Sequence, residues 1–212
     1  MTIVTPSKWL AGLVKRSFLK RYPVEVIHNG IDTSQFYPME SDFRERYGIE
    51  NRFILLGVAS SWNEMKGLSD YFKLAKKLDD SYRVVLVGLS KDQLKSVPQN
   101  MICIERTNST EELAQIYSAS DVLLNLSYCE NYPTVNLEAI ACGTPVITYN
   151  TGGSPESNIE NDGAFINKGN LEGIIDQIKN LQNHDCEKKR MKVDTSSFDK
   201  MKTTLKYMNI YC

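Results

Sequence analysis

Short runs of Val, Ile, Leu and Phe recur along this chain, separated by stretches whose apolar positions repeat every three to four residues. The runs Val24–Ile27, Phe53–Val58, Arg83–Val87, Met101–Ile104, Val122–Asn125, Pro145–Thr148 and Ala164–Ile166 are nearly continuous in apolar character. Strands covered on both faces read this way, whereas half-exposed strands alternate. Between them, Leu68, Tyr71, Phe72, Ala75 and Leu78 share one helical face, and Leu171, Ile174, Ile175, Ile178 and Leu181 share another. Both stripes read as core-facing. Ser109-Thr-Glu-Glu112 has the form of a capping box ahead of Leu113, Ile116 and Tyr117. Strands alternating with helices predict an α/β fold, a doubly wound parallel sheet with helices on both sides.

The two ends fit this alternation less well. Met1–Thr5 and a helix predicted from about Ser7 to Leu19 precede the first strand of the main unit. The segment from His28 to Pro38 is rich in turn formers and reads as a linker. A break at Asp194–Ser197 precedes a last helix predicted from about Phe198 to Tyr207. The expected division is therefore 1–22 as a piece of a second lobe, 23–193 as the main α/β unit, and 194–212 as a terminal helix returning toward that second lobe.

With 212 residues, 42% of them hydrophobic, the chain can bury a substantial core. A net charge of −1 supplies no concentrated basic field, so no nucleic-acid partner is expected. Lys188, Lys189 and Arg190 read as a solvated helix face. Cys103, Cys129, Cys142, Cys186 and Cys212 are scattered, with no pair at metal-ligand spacing. The first three lie in or beside apolar segments and read as small buried hydrophobes, reduced in a cytoplasmic setting. No apolar run approaches the roughly eighteen residues of a membrane span, and no signal peptide is recognisable. The expected place is the cytoplasm, with work at the inner face of a membrane compatible with it.

The most informative segment runs from Leu126 to Pro145. Pro133 suits a first helical position, Gly143 a left-handed residue after the helix, and Pro145 its stop. Glu130 then lies in the loop before the helix, and Glu138 about 7.5 Å along it. Two carboxylates would flank a ring of free backbone N–H groups, a setting for a polyhydroxylated, phosphorylated ligand. Pro133 has no N–H, so Thr134 and Val135 are the better donors. The plainer reading is a pair of solvated glutamates. His28 and His184 have no nucleophile at meaningful spacing. No metal site is expected, and Asp79-Asp80 reads as a solvated turn.

Taken in order, several segments resemble the family-four retaining glycosyltransferases. They are Val4-Thr-Pro-Ser-Lys-Trp9, Ile27-His-Asn-Gly-Ile-Asp32 with Phe36 and Pro38, Lys66-Gly67, Ser127, the Glu130/Glu138 pair, Glu138-Ala-Ile-Ala-Cys-Gly-Thr-Pro-Val-Ile147 and Gly152-Gly-Ser-Pro-Glu156. That family has the GT-B fold, two Rossmann-like lobes facing across a cleft. The resemblance implies that this chain is mostly the carboxyl-terminal, donor-binding lobe, with remnants of the amino-terminal lobe that supplies most of the acceptor site. On that reading roughly 100–200 residues of the other lobe are absent.

The resemblance also implies roles. Glu138 would bind the donor ribose and Glu130 would lie near the sugar ring. The backbone of Asn131, Tyr132, Thr134 and Val135 would meet phosphate and sugar, and Lys66 the diphosphate. Glu130 and Lys66 are the residues expected to act in catalysis. Ser60 stands where many relatives carry a phosphate-binding arginine; a hydroxyl offers one hydrogen bond and no charge, and Arg106 is a candidate substitute. Thr107 ends a strand where relatives touch the base, or belongs to an ordinary loop. Gly152-Gly153 permits close approach to a sugar, or is a plain tight turn. No cofactor and no metal are implied; the substrate would be a nucleoside-diphosphate sugar. Gly57-Val-Ala-Ser-Ser-Trp62 and Glu130-Asn-Tyr-Pro133 look like bacterial enzymes of surface polysaccharide assembly, with a glycan or lipid-linked acceptor. Two other readings stay open: a catalytically silent nucleotide-binding or scaffolding module, and another GT-B enzyme such as a sugar-nucleotide epimerase.

Overall fold

The computed structural model describes residues 1–157, 163–183 and 194–211. His184, Cys186, Lys188, Lys189, Arg190 and Cys212 lie outside the described residues. Strand β1 (Ile3–Thr5), helix α1 (Lys8–Val14) and strand β2 (Val24–Val26) form a first unit, in which β1 and β2 pair in parallel with Ile3 opposite Val24. A short helix α2 (Phe43–Arg46) leads into the main sheet. There β3 (Phe53–Val58), β4 (Tyr82–Val87), β5 (Met101–Ile104), β6 (Val122–Asn125), β7 (Val146–Tyr149) and β8 (Ala164–Ile166) alternate with α3 (Leu68–Lys77), α4 (Lys91–Leu94), α5 (Thr110–Ala119), α6 (Thr134–Ala141) and α7 (Leu171–Asn183). Helix α8 (Lys200–Tyr211) ends the described chain. Among the described residues, no helix is long and apolar enough to cross a membrane.

The six strands lie in the order β5-β4-β3-β6-β7-β8, and every neighbouring pair is parallel. The chain winds outward from β3 in one direction and, beginning with β6, in the other. In a sheet of this kind, the crevice beyond the carboxyl ends of the two central strands is where a ligand sits. Successive residues of β3 supply both faces. Ile54 and Leu56 pack with Ile116, Tyr117, Leu137 and Ile140 of α5 and α6. Phe53 and Leu55 pack with Tyr71 and Leu74 of α3 and Ile174 and Ile178 of α7. Each such side chain contributes about 1.5–3 kcal/mol when fully buried.

Local differences from the sequence expectation have identifiable causes. The strand expected at Val24–Ile27 does not open the main sheet; it pairs with β1, and Ile27 N–H extends that ladder to Thr5 O at 2.9 Å. Parallel neighbours need a crossover, and α1 provides one, so the division expected at residue 22 cuts through a paired unit. The helix expected to reach Leu19 stops at Val14. There Ser17 Oγ donates back to Val14 O at 2.8 Å and accepts from Leu19 N–H, offering the backbone an alternative to another helical turn. The expected linker is partly core: Ile31 and Phe36 are buried. Ile31 also exchanges backbone bonds of 2.9 Å with Phe198 and Lys200, which fixes the start of α8. At the predicted capping box, Ser109 Oγ accepts from Glu112 N–H, but the Glu112 carboxylate reaches Asn108 N–H instead of Ser109.

The first unit is fastened to the second through the amino end of α1. Ser7 Oγ caps Leu10 N–H at 3.1 Å, and Glu156 accepts from Lys8 and Trp9 N–H at 2.7 and 2.8 Å. A carboxylate here also meets the positive end of the helix dipole. Hydrogen bonds to a charged group contribute about 1.5–3 kcal/mol. Glu156→Ala should therefore speed hydrogen exchange at the Lys8 and Trp9 amides roughly tenfold or more, with β3 amides unchanged. Unaltered exchange at those two amides would contradict this fastening.

Candidate active site

A cavity of about 800 Å³ opens at the carboxyl ends of β3 and β6. Its lining includes Ser60, Lys66, Gly88, Glu105, Arg106, Thr107, Asn125, Ser127, Glu130, Tyr132, Pro133, Thr134, Val135, Glu138 and, from the segment after β2, Asn29.

Lys66 ends a single 3₁₀ turn, Glu64–Lys66, capped by the Asn63 side chain, which accepts from Lys66 N–H at 3.0 Å. Gly67 follows at φ 71°, and a Cβ there would stand 2.1 Å from Leu126 O. A residue with a side chain cannot take this position, because the left-handed backbone and the close approach both exclude it. Tyr128 N–H donates to Met65 O at 2.8 Å, a second tie between the two loops. Lys66 Nζ thereby reaches Glu130 Oε1 and pairs with it; the side chains are 37% and 13% exposed.

The Glu130 loop is held from behind by Gly152-Gly153. Gly153 N–H donates to Glu130 O at 3.0 Å. A Cβ on Gly152 or Gly153 would fall 1.9 Å from Glu130 O or Asn131 O. The close approach these glycines permit is to the loop backbone, and neither glycine lines the cavity.

Helix α6 begins at Thr134, one residue later than predicted. Pro133 is its N-cap, with φ −73° and ψ 117°, the extended conformation an N-cap requires. A proline side chain has no acceptor, so no side chain caps α6, and Thr134 and Val135 present its first turn to the cavity. The positive end of a helix dipole is left facing open space. Tyr132 stacks on His28, with ring centroids 4.6 Å apart and planes inclined by 17°. Burial pushes the Tyr132 hydroxyl up to about 12.

One turn along α6, Glu138 Oε2 accepts from Tyr117 OH at 2.9 Å. Burial raises the Glu138 carboxyl above its ordinary value, and the Tyr117 and Thr134 hydroxyls draw it only partly back. From the cavity lining, Asn125 Nδ2 donates to Asn136 Oδ1 beneath it, and Asn136 Nδ2 donates to Ser157 Oγ, each at 2.9 Å. These buried amides tie the end of β6 to α6 and to the turn after Gly153.

Eight of the nine expected site residues come together in one cavity: Ser60, Lys66, Thr107, Glu130, Tyr132, Thr134, Val135 and Glu138. Asn131 does not. Its Oδ1 accepts from Ser7 Oγ at 2.8 Å, so its side chain serves the junction with α1. Arg106, the suggested replacement for the missing arginine, is exposed on the cavity wall beside Glu105. Cys142 is buried, its thiol pushed up to about 12 by desolvation, while Cys103 is only half-buried. Cys129 is exposed, contrary to expectation, because it belongs to the loop after β6 and not to the strand. Sequence reasoning missed Asn29, Asn125 and Tyr117; an asparagine closing the apolar run Val122–Leu124 was the available signal for Asn125.

The family profile described as Glycosyl transferases group 1 matches residues 39–197, most of the α/β unit just described. The chain belongs to this family. Among curated relatives of this chain, D-inositol 3-phosphate glycosyltransferase of Mycobacterium sp. (strain KMS) is 29% identical over 145 residues, which cover 62% of this chain and 33% of the relative. N-acetyl-alpha-D-glucosaminyl L-malate synthase of Bacillus anthracis is 25% identical over 167 residues, covering 74% and 44%. The chain thus spans less than half the length of these relatives. Among solved structures, sucrose-phosphate synthase from Thermosynechococcus elongatus superposes with a TM-score of 0.84 at 21% identity, over 99% of this chain and 57% of that one. Anabaena Alr3699/HepE, solved in complex with UDP-glucose, gives 0.82 at 18% identity, over 99% and 63%. These structures share the Rossmann-like GT-B lobe.

The Glu138 carboxyl carries a consequence for stability. Its folded form holds a proton more tightly than the unfolded chain does, so stability falls as pH rises from about the ordinary value of 4.5 toward the raised folded value. Glu138→Gln removes that loss while keeping an oxygen for Tyr117. The variant should unfold at a higher temperature than wild type at pH 7, with the advantage shrinking toward pH 4. An advantage independent of pH, or none at pH 7, would contradict the assignment.

Proposed function

We propose that this chain is the donor-binding lobe of a retaining glycosyltransferase, moving a sugar from a nucleoside-diphosphate donor to a hydroxyl acceptor. The observation that carries the reading is the meeting of Lys66, Glu130, the uncapped first turn of α6 and Glu138 around one cavity. Glu138 is acceptor-only when ionised and suits the vicinal diol of a ribose. Backbone N–H groups of Thr134 and Val135, with Lys66, suit a diphosphate. The complex of Alr3699/HepE with UDP-glucose supports a donor of this chemical class.

The ion pair gives the chemistry a direction. Lys66 and Glu130 neutralise each other as an ion pair. A diphosphate competes for Lys66 and frees the Glu130 carboxylate beside the sugar. As the bond from the anomeric carbon to the diphosphate lengthens, negative charge grows where Lys66 and the α6 amides wait, and positive charge grows on the ring near Glu130. Such preorganised groups stabilise the charge that develops in the transition state. Ser60 adds one hydroxyl donor, and Arg106 stands on the wall as a second cation. The acceptor, a glycan or lipid-linked hydroxyl in bacterial surface polysaccharide synthesis, would be held by the other lobe, in the cytoplasm or at the inner face of the membrane. The proposed transfer enlists no metal and no cofactor.

A thermal-shift screen of nucleoside diphosphates tests the reading, since a ligand at a hundred times its Kd stabilises the fold by about 2.7 kcal/mol. For the diphosphate so identified, Lys66→Ala should lower affinity by about ten- to a hundredfold, as the loss of a charge-assisted contact predicts. Affinity for the corresponding nucleoside should stay within about twofold. Equal losses for both ligands would remove Lys66 from the phosphates.

A further inference from the structure

Asp70 on α3 is 2% exposed, a buried carboxylate that lines no part of the cavity. Its Oδ2 accepts from Tyr128 OH at 2.7 Å and Tyr149 OH at 2.9 Å, and its Oδ1 from Lys73 Nζ at 3.1 Å. Burial alone would raise this carboxyl; the two hydroxyls and the ammonium together hold it below the ordinary carboxylate value. A buried ionic cluster is seldom more stable than an apolar one of the same volume, so stability does not account for it.

Its geometry does. Asp70 N–H donates to Gly67 O at 2.9 Å, which makes Asp70 part of the same rigid turn that carries Lys66. Tyr128 lies two residues before Glu130. Its hydroxyl is held by Asp70, and its N–H donates to Met65 O at 2.8 Å, immediately before Lys66. Tyr128 is therefore bound to the Lys66 turn at both ends, by its main chain and by its ring. Tyr149 reaches the same carboxylate oxygen from the end of β7, its ring beside that of Tyr128 with centroids 6.0 Å apart, but without the main-chain bond to Met65 that Tyr128 makes.

We propose that Asp70 is a positioning residue that acts through Tyr128 to set the separation of Lys66 and Glu130, and with it the grip on the donor diphosphate. This rests on the reading of the cavity as a nucleotide-sugar site. Asp70 and Tyr128 touch no substrate; they fix the loop spacing that lets one ammonium serve both Glu130 and a phosphate.

The test is calorimetry on the full chain with UDP, GDP and ADP, each beside its phosphate-free nucleoside, together with thermal unfolding. Wild type should hold one of the diphosphates more tightly than its nucleoside. Tyr128→Phe, which keeps the ring and removes one hydroxyl, should lower diphosphate affinity about tenfold and leave nucleoside affinity within about twofold. Asp70→Asn should do the same, and the double variant should lose no more than either single one, because both act through one contact. Tyr149→Phe removes the other hydroxyl from the same carboxylate and should lower only the unfolding temperature. The proposal is overturned if Tyr128→Phe leaves the ratio of the two affinities as in wild type, or if Tyr149→Phe changes it equally, since the effect is then general loosening. If Asp70→Asn does not fold, the two phenylalanine variants decide alone. If wild type binds none of the diphosphates, the donor-site reading fails and takes this proposal with it.

Discussion

Lys66 and Glu130 follow the two central strands of the sheet, β3 and β6, and meet across the crevice between them. Where winding reverses, helices diverge to the two faces and leave a gap at the strand ends. The chain spans that gap with one cation and one anion. Such a pair adds little net stability, because desolvating each partner offsets most of their attraction. Its value lies in placement: two opposite charges are held together on the lining of one cavity.

The surrounding structure makes that placement possible by bringing backbones unusually close. Gly67 rests on Leu126 O, and Gly152-Gly153 rests on Glu130 and Asn131. Both contacts exclude a Cβ, so both turns are rigid through shape rather than through side-chain grip. Buried polar groups then lock what the glycines allow, with Asn125 tied through Asn136 to Ser157 and Asp70 with its tyrosines behind the Lys66 turn. Pro133 contributes by what it lacks. An N-cap serine or aspartate would occupy the amides that this helix leaves open.

How much of this was legible in the sequence depended on the range of the interaction. The strands of the main sheet were readable because burial on both faces demands continuous apolar runs, with ends displaced by one residue at Tyr82, Val146 and Tyr149. The partner of Val24–Val26 was not readable, since an apolar run does not say which sheet it joins. Ser17 shortened α1 through a local bond that periodicity does not register. The convergence of Glu130, Glu138 and Lys66 on one cavity was legible from loop, helix and motif spacing. Asn131 was expected to contribute its backbone; that its side chain turns to Ser7 was not readable, because that contact spans 124 residues. Tyr117 and Asn29 escaped notice because their relation to the site exists only after folding, 21 residues before Glu138 in one case and from outside the main sheet in the other.

The most direct measurement is a crystal structure of this chain soaked with the nucleoside-diphosphate sugar that binds it. The expected result has Lys66 Nζ parted from Glu130 and against the diphosphate, the amides of Thr134 and Val135 beside the same phosphates, and Glu138 on the ribose. A donor bound elsewhere, with the Lys66–Glu130 pair intact, would contradict the account.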